Sequence, residues 1–168
     1  NFSYASPLRN RTSFYASAGY FSQTGVIDKA KFERYSVLLN LNSQLTEKLN
    51  LDLRLAPTVT ENQRVPASSP YFATPPGIVY SGIVHSPTVS PYNPDGTINQ
   101  LNNQSYLGGG TTTASNPLAI IKAVDDQIFQ FQTRGNLALT YDILPGLSFK
   151  TFGGVYINLY NQDFYRSN

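Results

Sequence analysis

Hydrophobicity alternates residue by residue in five separate stretches of this chain, and each stretch runs for about ten residues or more. Period-two alternation sends successive side chains to opposite faces of an extended strand. Residues 12–22 set Phe14, Ala16, Ala18 and Tyr20 against Ser13, Tyr15, Ser17 and Gly19. Residues 33–44 set Tyr35, Val37, Leu39 and Leu41 against Arg34, Ser36, Asn40 and Asn42. The third stretch, 49–60, has Leu49, Leu51, Leu53 and Leu55 alternating with Asn50, Asp52, Arg54 and Ala56. In 127–141, Phe129, Phe131, Thr133, Leu137 and Leu139 oppose Gln130, Gln132, Arg134, Asn136 and Thr140. In 147–161, Leu147, Phe149, Val155, Ile157 and Leu159 oppose Ser148, Lys150, Tyr156 and Asn158.

Strands of soluble domains usually run about five or six residues, whereas a tilted strand needs roughly ten to cross a bilayer. The charges in the strand interiors (Arg34, Asp52, Arg54, Arg134 and Lys150) all fall on the polar faces. A Lys or Arg facing lipid at the midplane would cost roughly 2–4 kcal/mol. Alternation alone does not separate a membrane barrel from a soluble β-sandwich, which also has one apolar and one polar face per sheet. The connections do. Strands two and three join through Leu45-Thr46-Glu47-Lys48, and strands four and five through Asp142-Ile143-Leu144-Pro145-Gly146, where Pro-Gly is a strong turn signal. Residues 23–32 make a medium loop at the other edge, and 61–126 a very long one. Short turns on one side and long loops on the other are the pattern of outer-membrane barrels. The expected fold is therefore all-β: an antiparallel meander of about five long strands, part of a transmembrane β-barrel wall, with one very long extracellular loop.

Composition agrees. Charged residues are 13% of the 168-residue chain, about half the usual share, while aromatics also reach 13%. The mean hydropathy is only −0.26, as a periodic mixture of polar and apolar residues requires. A net charge of +2 without a basic run excludes nucleic acid as a partner. No cysteine is available for a disulfide framework or a thiolate metal site. No apolar run approaches the roughly 20 residues of a membrane-spanning helix. The chain opens at Asn1-Phe2-Ser3, without an initiating Met or a basic leader, so a processed start or an internal piece is expected.

Nothing in the sequence assembles into an active site, a cofactor site or a metal site. His85 is the sole histidine, and a Ser86-His85-Asp95 arrangement is no more than any Ser-rich loop allows. Asn93-Pro94-Asp95-Gly96-Thr97 lacks the spaced acidic ligands of a calcium loop and reads as a β-turn. Gly108-Gly109-Gly110 is followed by threonines with no Lys, which excludes a phosphate loop and leaves a hinge. Asp125-Asp126 point to opposite sides of an extended chain and read as solvated rather than as an acid–base pair. In the long loop the islands Ile78-Val79-Tyr80 and Ile83-Val84 are expected to pack, and 116–121 to form a turn into a short helical or extended element. The loop tyrosines Tyr71, Tyr80, Tyr92 and Tyr106 can stack on a sugar or peptide and hydrogen-bond through their hydroxyls. The polar strand faces, with Arg34, Arg54, Arg134 and Lys150, would line a wet lumen, contact a plug, or form the solvent side of a sheet.

Four segments carry a family resemblance. SFYASAGYFSQTGVI at 13–27 resembles the Tyr/Phe-rich strand, ending in G-Y-x-x-Q-x-G, that opens the barrel region of SusC/RagA-type TonB-dependent transporters. FERYSVLLNLNSQLTEKLNLDLRL at 32–55 is similar to the hairpin that follows. NPLAII at 116–121 and RGNLALTYDILPGLSFKTFGGV at 134–155 resemble the next elements in order. The resemblance implies a 22-stranded bacterial outer-membrane barrel with an internal plug, of which residues 1–168 are a partial barrel without the plug. It implies a transporter part and not an enzyme. The implied partners are the remaining strands and plug, membrane lipid, a SusD-like surface lipoprotein, TonB through other segments, and glycan or peptide cargo. The rival readings are a soluble β-sandwich lectin or adhesin using the 61–126 loop, and an outer-membrane lipase or protease.

Overall fold

The computed structural model describes residues 1–8, 11–66, 77–85, 87, 89–99, 104–105, 111–112 and 116–167. The elements in chain order are β1 (Phe2–Leu8), β2 (Thr12–Thr24), β3 (Lys31–Gln44), β4 (Leu49–Arg64), α1 (Ile78–Val84), β5 (Gln104–Ser105), β6 (Thr111–Thr112), α2 (Pro117–Ala123), β7 (Val124–Leu144) and β8 (Leu147–Arg166). Six strands form one antiparallel sheet in the order β1-β2-β3-β4-β7-β8, a meander in which every strand lies beside its neighbour in the chain among the long strands. The five expected strands are all present and in the expected order, each somewhat longer than its alternation.

The sixth strand, β1, is not among the expected five, since its seven residues, FSYASPL, alternate weakly. It is drawn into the sheet by pairing with β2, with Phe2 opposite Ala18, Tyr4 opposite Ala16 and Ser6 opposite Phe14. The long loop is correspondingly shorter than 61–126, since β4 runs to Arg64 and β7 begins at Val124. The turn after β7 has Gly146 at φ 88°, directly after Pro145. That conformation is the one a type II turn asks of the residue following its proline. On the same edge, Leu45 N–H donates to Leu49 O at 2.8 Å and closes the β3–β4 turn.

Two units partition the chain, and they differ in how they bury side chains. Unit one comprises residues 1–23, 32–62 and 128–161, the body of the sheet. It has no buried hydrophobic side chain among its described residues: Ile78, Ile120 and Val124 are the buried hydrophobics, and all three lie outside it. Phe149, Phe152, Val155, Ile157 and Leu159 are exposed along β8, whose every residue is exposed.

Unit two comprises residues 24–31, 63–127 and 162–168 and has a small core. Here α1 and α2 pack together, burying Ile78 and Ile120, with Val124 2% exposed. Pro117 opens α2 at a position where its missing N–H costs nothing. Asn116 caps that helix, its side-chain oxygen accepting from Leu118 N–H at 3.0 Å. The expectation of a short element at 116–121 is met by a helix. Among the described residues, no helix is long and apolar enough to cross a membrane.

Candidate functional site

The sheet in unit one presents two chemically distinct faces, and the cross-strand contacts fix which residues share each. In an antiparallel pair, directly opposed residues lie on the same face. On the first face the Tyr20 and Tyr35 rings stand 5.0 Å apart, and Thr12 Oγ1 lies 2.8 Å from Ser43 Oγ. Gly135 lies on this face beneath Val155 and Leu55: a Cβ there would meet Val155 Cγ1 at 3.0 Å and Leu55 Cδ2 at 3.1 Å. Two apolar side chains thus close over a residue that has none.

On the second face Asn42 Nδ2 donates to Asp52 Oδ1, and Arg54 Nε donates to Asn40 Oδ1 at 3.1 Å. Gln130 Nε2 donates to Asn158 Oδ1 at 2.9 Å. The Arg34 guanidinium lies over the Phe21 ring at 5.7 Å, and that of Arg134 over Tyr156 at 5.5 Å. Each of these contacts joins residues that the alternation had placed on one face. No one-residue slip, which would invert a strand, occurs between the strands they link.

Followed across the sheet, this register organises the first face into a band. Tyr20 opposes Tyr35, and the offsets of the β3–β4 and β4–β7 pairs carry that row on through Val59 to Phe131. Tyr141 and Phe149, with Leu49, mark a second aromatic row near the tight turns. Phe131 and Tyr141 are ten residues apart on β7, about 33 Å along a strand and about 25 Å across a bilayer once strands tilt by roughly 40°. Between the rows this face carries only Ala, Val, Leu, Ile, Phe, Tyr, Pro, Gly, Ser and Thr, with no charged residue. Its first charges, Glu33 and Glu61, come one step outside the Tyr20–Phe131 row, and Glu33 accepts from Tyr20 OH at 2.5 Å.

The second face holds an open groove of about 780 Å³. Tyr15, Asn40, Asp52, Arg54, Asn136 and Lys150 are among its lining residues. Of the four cations singled out in the sequence, Arg54 and Lys150 therefore share one groove, and Arg34 and Arg134 lie on the same face stacked on aromatic rings.

The loop candidates are not gathered in this way. Tyr80 lies on α1 and Tyr92 in an isolated bridge with Ile98, both with exposed rings. Tyr71 and Tyr106 fall outside the described residues, as do Ser86 and Gly108 to Gly110. His85 ends α1, its backbone N–H donating to Ser81 O at 2.9 Å. The 93–97 segment is the expected turn: Gly96 N–H donates to Asn93 O, Gly96 has φ 82°, and Asp95 Oδ1 accepts from both Thr97 N–H and Thr97 Oγ1. Those two Thr97 donors hold the Asp95 carboxyl below its ordinary pKa.

One expectation is corrected. Asp126 is not solvated: it is 9% exposed and accepts from Arg64 Nε at 3.2 Å, Arg64 Nη2 at 2.9 Å and Gln162 Nε2 at 2.7 Å. The strand geometry that sets Asp125 and Asp126 on opposite sides holds, but the Asp126 side meets two donors brought by β4 and β8, 62 and 36 residues away. No local pattern announces partners at that distance. Asn116 was missed as an anchor for the same reason, since its Nδ2 donates to Pro91 O and Asn99 O, both at 2.8 Å. Among the described residues no group of His, Cys, Asp and Glu could hold a metal ion.

No family model matches the chain. It is 26% identical over 148 residues to TonB-dependent receptor P3 of Formosa agariphila, a match covering 86% of this chain and 14% of that protein. A solved structure of the RagAB peptide transporter superposes with a TM-score of 0.61 at 25% identity, covering 88% of this chain and 16% of that one. The chain thus spans about a seventh of the length of the relatives it matches. Both findings bear out the SusC/RagA-type resemblance drawn from the sequence, and the neighbour's fold is that of a β-barrel transporter.

Proposed function

We propose that this chain is barrel wall and outer loop of an active importer in the bacterial outer membrane. In this reading the importer takes up peptides or oligosaccharides, is energised through TonB, and works with a SusD-like surface lipoprotein. Residues 1–168 are then a partial barrel, with the plug and the remaining strands supplied by the rest of the protein. The reading rests on the uncovered apolar band. A soluble protein rarely leaves a contiguous apolar patch of more than a few hundred Å² facing water. A β-sandwich would bury the Leu49–Leu55 face against a second sheet, yet Leu49, Leu51, Leu53 and Leu55 are only half-buried, and among the described residues the second sheet is the two-stranded β5–β6 pair. A bilayer accounts for the height of the band, its aromatic margins and its lack of charge together.

On this reading Arg34, Arg54, Arg134 and Lys150 face the lumen, and the loop carrying Tyr71, Tyr80, Tyr92 and Tyr106 lies on the cell exterior, where those rings contact cargo or the lipoprotein. The exposed rings of Tyr80 and Tyr92 support that assignment. The test is made in the full-length transporter. Removing residues 69–108 is expected to lower uptake of peptides or oligosaccharides, or co-purification of the lipoprotein, while the barrel still inserts. A protonophore is expected to abolish uptake by the unaltered protein. If uptake and co-purification both survive the deletion, the loop is a passive lid; if uptake is indifferent to the protonophore, energised import is wrong.

A further inference from the structure

The second face of the sheet is electrically one-sided. Within unit one its strands carry four cations, Arg34, Arg54, Arg134 and Lys150, against two carboxylates, Asp52, which is engaged by Asn42, and Asp142 at the tight-turn edge, so positive charge is in excess. Among the described residues, none of the four cations has a carboxylate partner. Arg54 donates to the neutral amide of Asn40, Arg34 and Arg134 lie on aromatic rings, and Lys150 lines the groove. A ring neighbour does not neutralise a guanidinium, whose forked N–H donors suit a carboxylate.

The register spaces these charges down the wall. Arg34 lies level with Gln130, Arg134 four residues further along β7, Arg54 level with Asn136, and Lys150 nearest the tight-turn edge, level with Thr140. That span of ten residues is about 33 Å of strand, with steps no longer than about 13 Å along the strand direction. With about 4.8 Å of sideways offset added for each strand crossed, successive cations lie roughly 8–16 Å apart, within about two Debye lengths of 8–10 Å.

We propose that this face is a stepped cation track that favours cargo bearing carboxylate groups and hands it from the loop edge of the barrel to the turn edge. The proposal rests on the import reading above and deepens it by naming the charge class of the cargo. A static salt-bridged contact would pair each cation with a fixed acid. A track for a moving polyanion needs cations in excess of fixed acids and close enough for one extended molecule with several carboxylates to bridge.

The experiment compares labelled hexaglutamate and hexaglutamine peptides in a deletion strain complemented with the full-length protein. Binding of each probe to the purified protein is measured by fluorescence anisotropy. The expected result is preferential binding and uptake of hexaglutamate. The acidic-to-neutral ratio should fall about tenfold in the Arg54→Gln, Arg134→Gln, Lys150→Gln variant, since a few partly exposed charge pairs together amount to about one power of ten. Arg54→Lys with Arg134→Lys should keep most of that ratio. Raising ionic strength should lower the ratio for the unaltered protein, a readout that survives even if the triple variant fails to assemble. A ratio insensitive to both salt and neutralisation overturns the track and leaves import standing. An equal loss of both probes in a normally inserted variant also overturns it, assigning the cations to contacts within the protein. Salt-sensitive hexaglutamate binding without uptake supports the track and counts against import.

Discussion

Asn116 uses its whole side chain: the carbonyl oxygen caps α2 through Leu118 N–H, and the amide donates to Pro91 O and Asn99 O. It is 2% exposed, so no water replaces these bonds. Asn116→Ala leaves two carbonyls without their donor, at a cost of about 1–3 kcal/mol. Faster hydrogen exchange at Asn99 and easier proteolysis across residues 90–99 are expected, with the strands unaffected. Arg64→Ala leaves the Asp126 carboxylate with the Gln162 amide as donor; about 2 kcal/mol of local stability should be lost. Asp95 behaves differently because it is exposed. Its carboxyl is held below its ordinary value of 3.8 by the Thr97 hydroxyl and N–H. A depressed folded pKa stabilises the charged turn at all pH values above the ordinary one, and that support disappears as pH falls through the folded value. The Thr97 amide should therefore stay protected from neutral pH down to about 4 and lose protection only in stronger acid. Asp95→Ala should remove the protection at every pH.

At the scale of the strand, the useful comparison is between two positions three residues apart on β4. Leu53 lies near the middle of the apolar band, between the Phe131 and Tyr141 rows, whereas Asn50 lies on the other face. Leu53→Arg places a guanidinium in the band at a cost of about 2–4 kcal/mol if that band meets hydrocarbon. Asn50→Arg puts the same group on the polar face. Assembly of the full-length protein, followed by heat-modifiable gel mobility, should suffer badly from the first change and little from the second. Equal tolerance would mean that both faces meet water. The chain has no cysteine, so single cysteines at the same two positions offer a chemical check. Position 50 should react with a water-soluble maleimide, and position 53 should be protected because a thiol facing hydrocarbon stays protonated and only the thiolate adds.

For the molecule as a whole, the governing fact is that the sheet is open. β1 and β8 are its outer strands, and β8 is exposed along all 20 residues. Unpaired strand edges template further pairing, and the smallest closed membrane barrels need about eight strands. Produced alone, residues 1–168 should aggregate or require the strands that complete the barrel. A monodisperse monomer unfolding cooperatively in plain buffer, followed by light scattering and circular dichroism, would contradict the barrel-wall reading directly.

The sequence by itself determined the long strands, their order and the face of every side chain whose contact has been described. Alternation is a local property, and a one-residue error would have exposed itself as a contact between opposite faces. It also determined the turn at 93–97, where Asp, Gly and Thr act on one another within two residues. Tertiary structure decided what depended on distant segments. β1 exists because β2 offers it an edge, not because FSYASPL is a strong strand. Asp126 is buried because Arg64 and Gln162 arrive from other strands, and Asn116 is an anchor because residues 91 and 99 come to it. The aromatic rows likewise lie on separate strands, and only the register brings Tyr20, Tyr35 and Phe131 to one height. A hydrogen-bond partner or a neighbour across a sheet is chosen by the fold, whereas the period of a strand is written into consecutive residues.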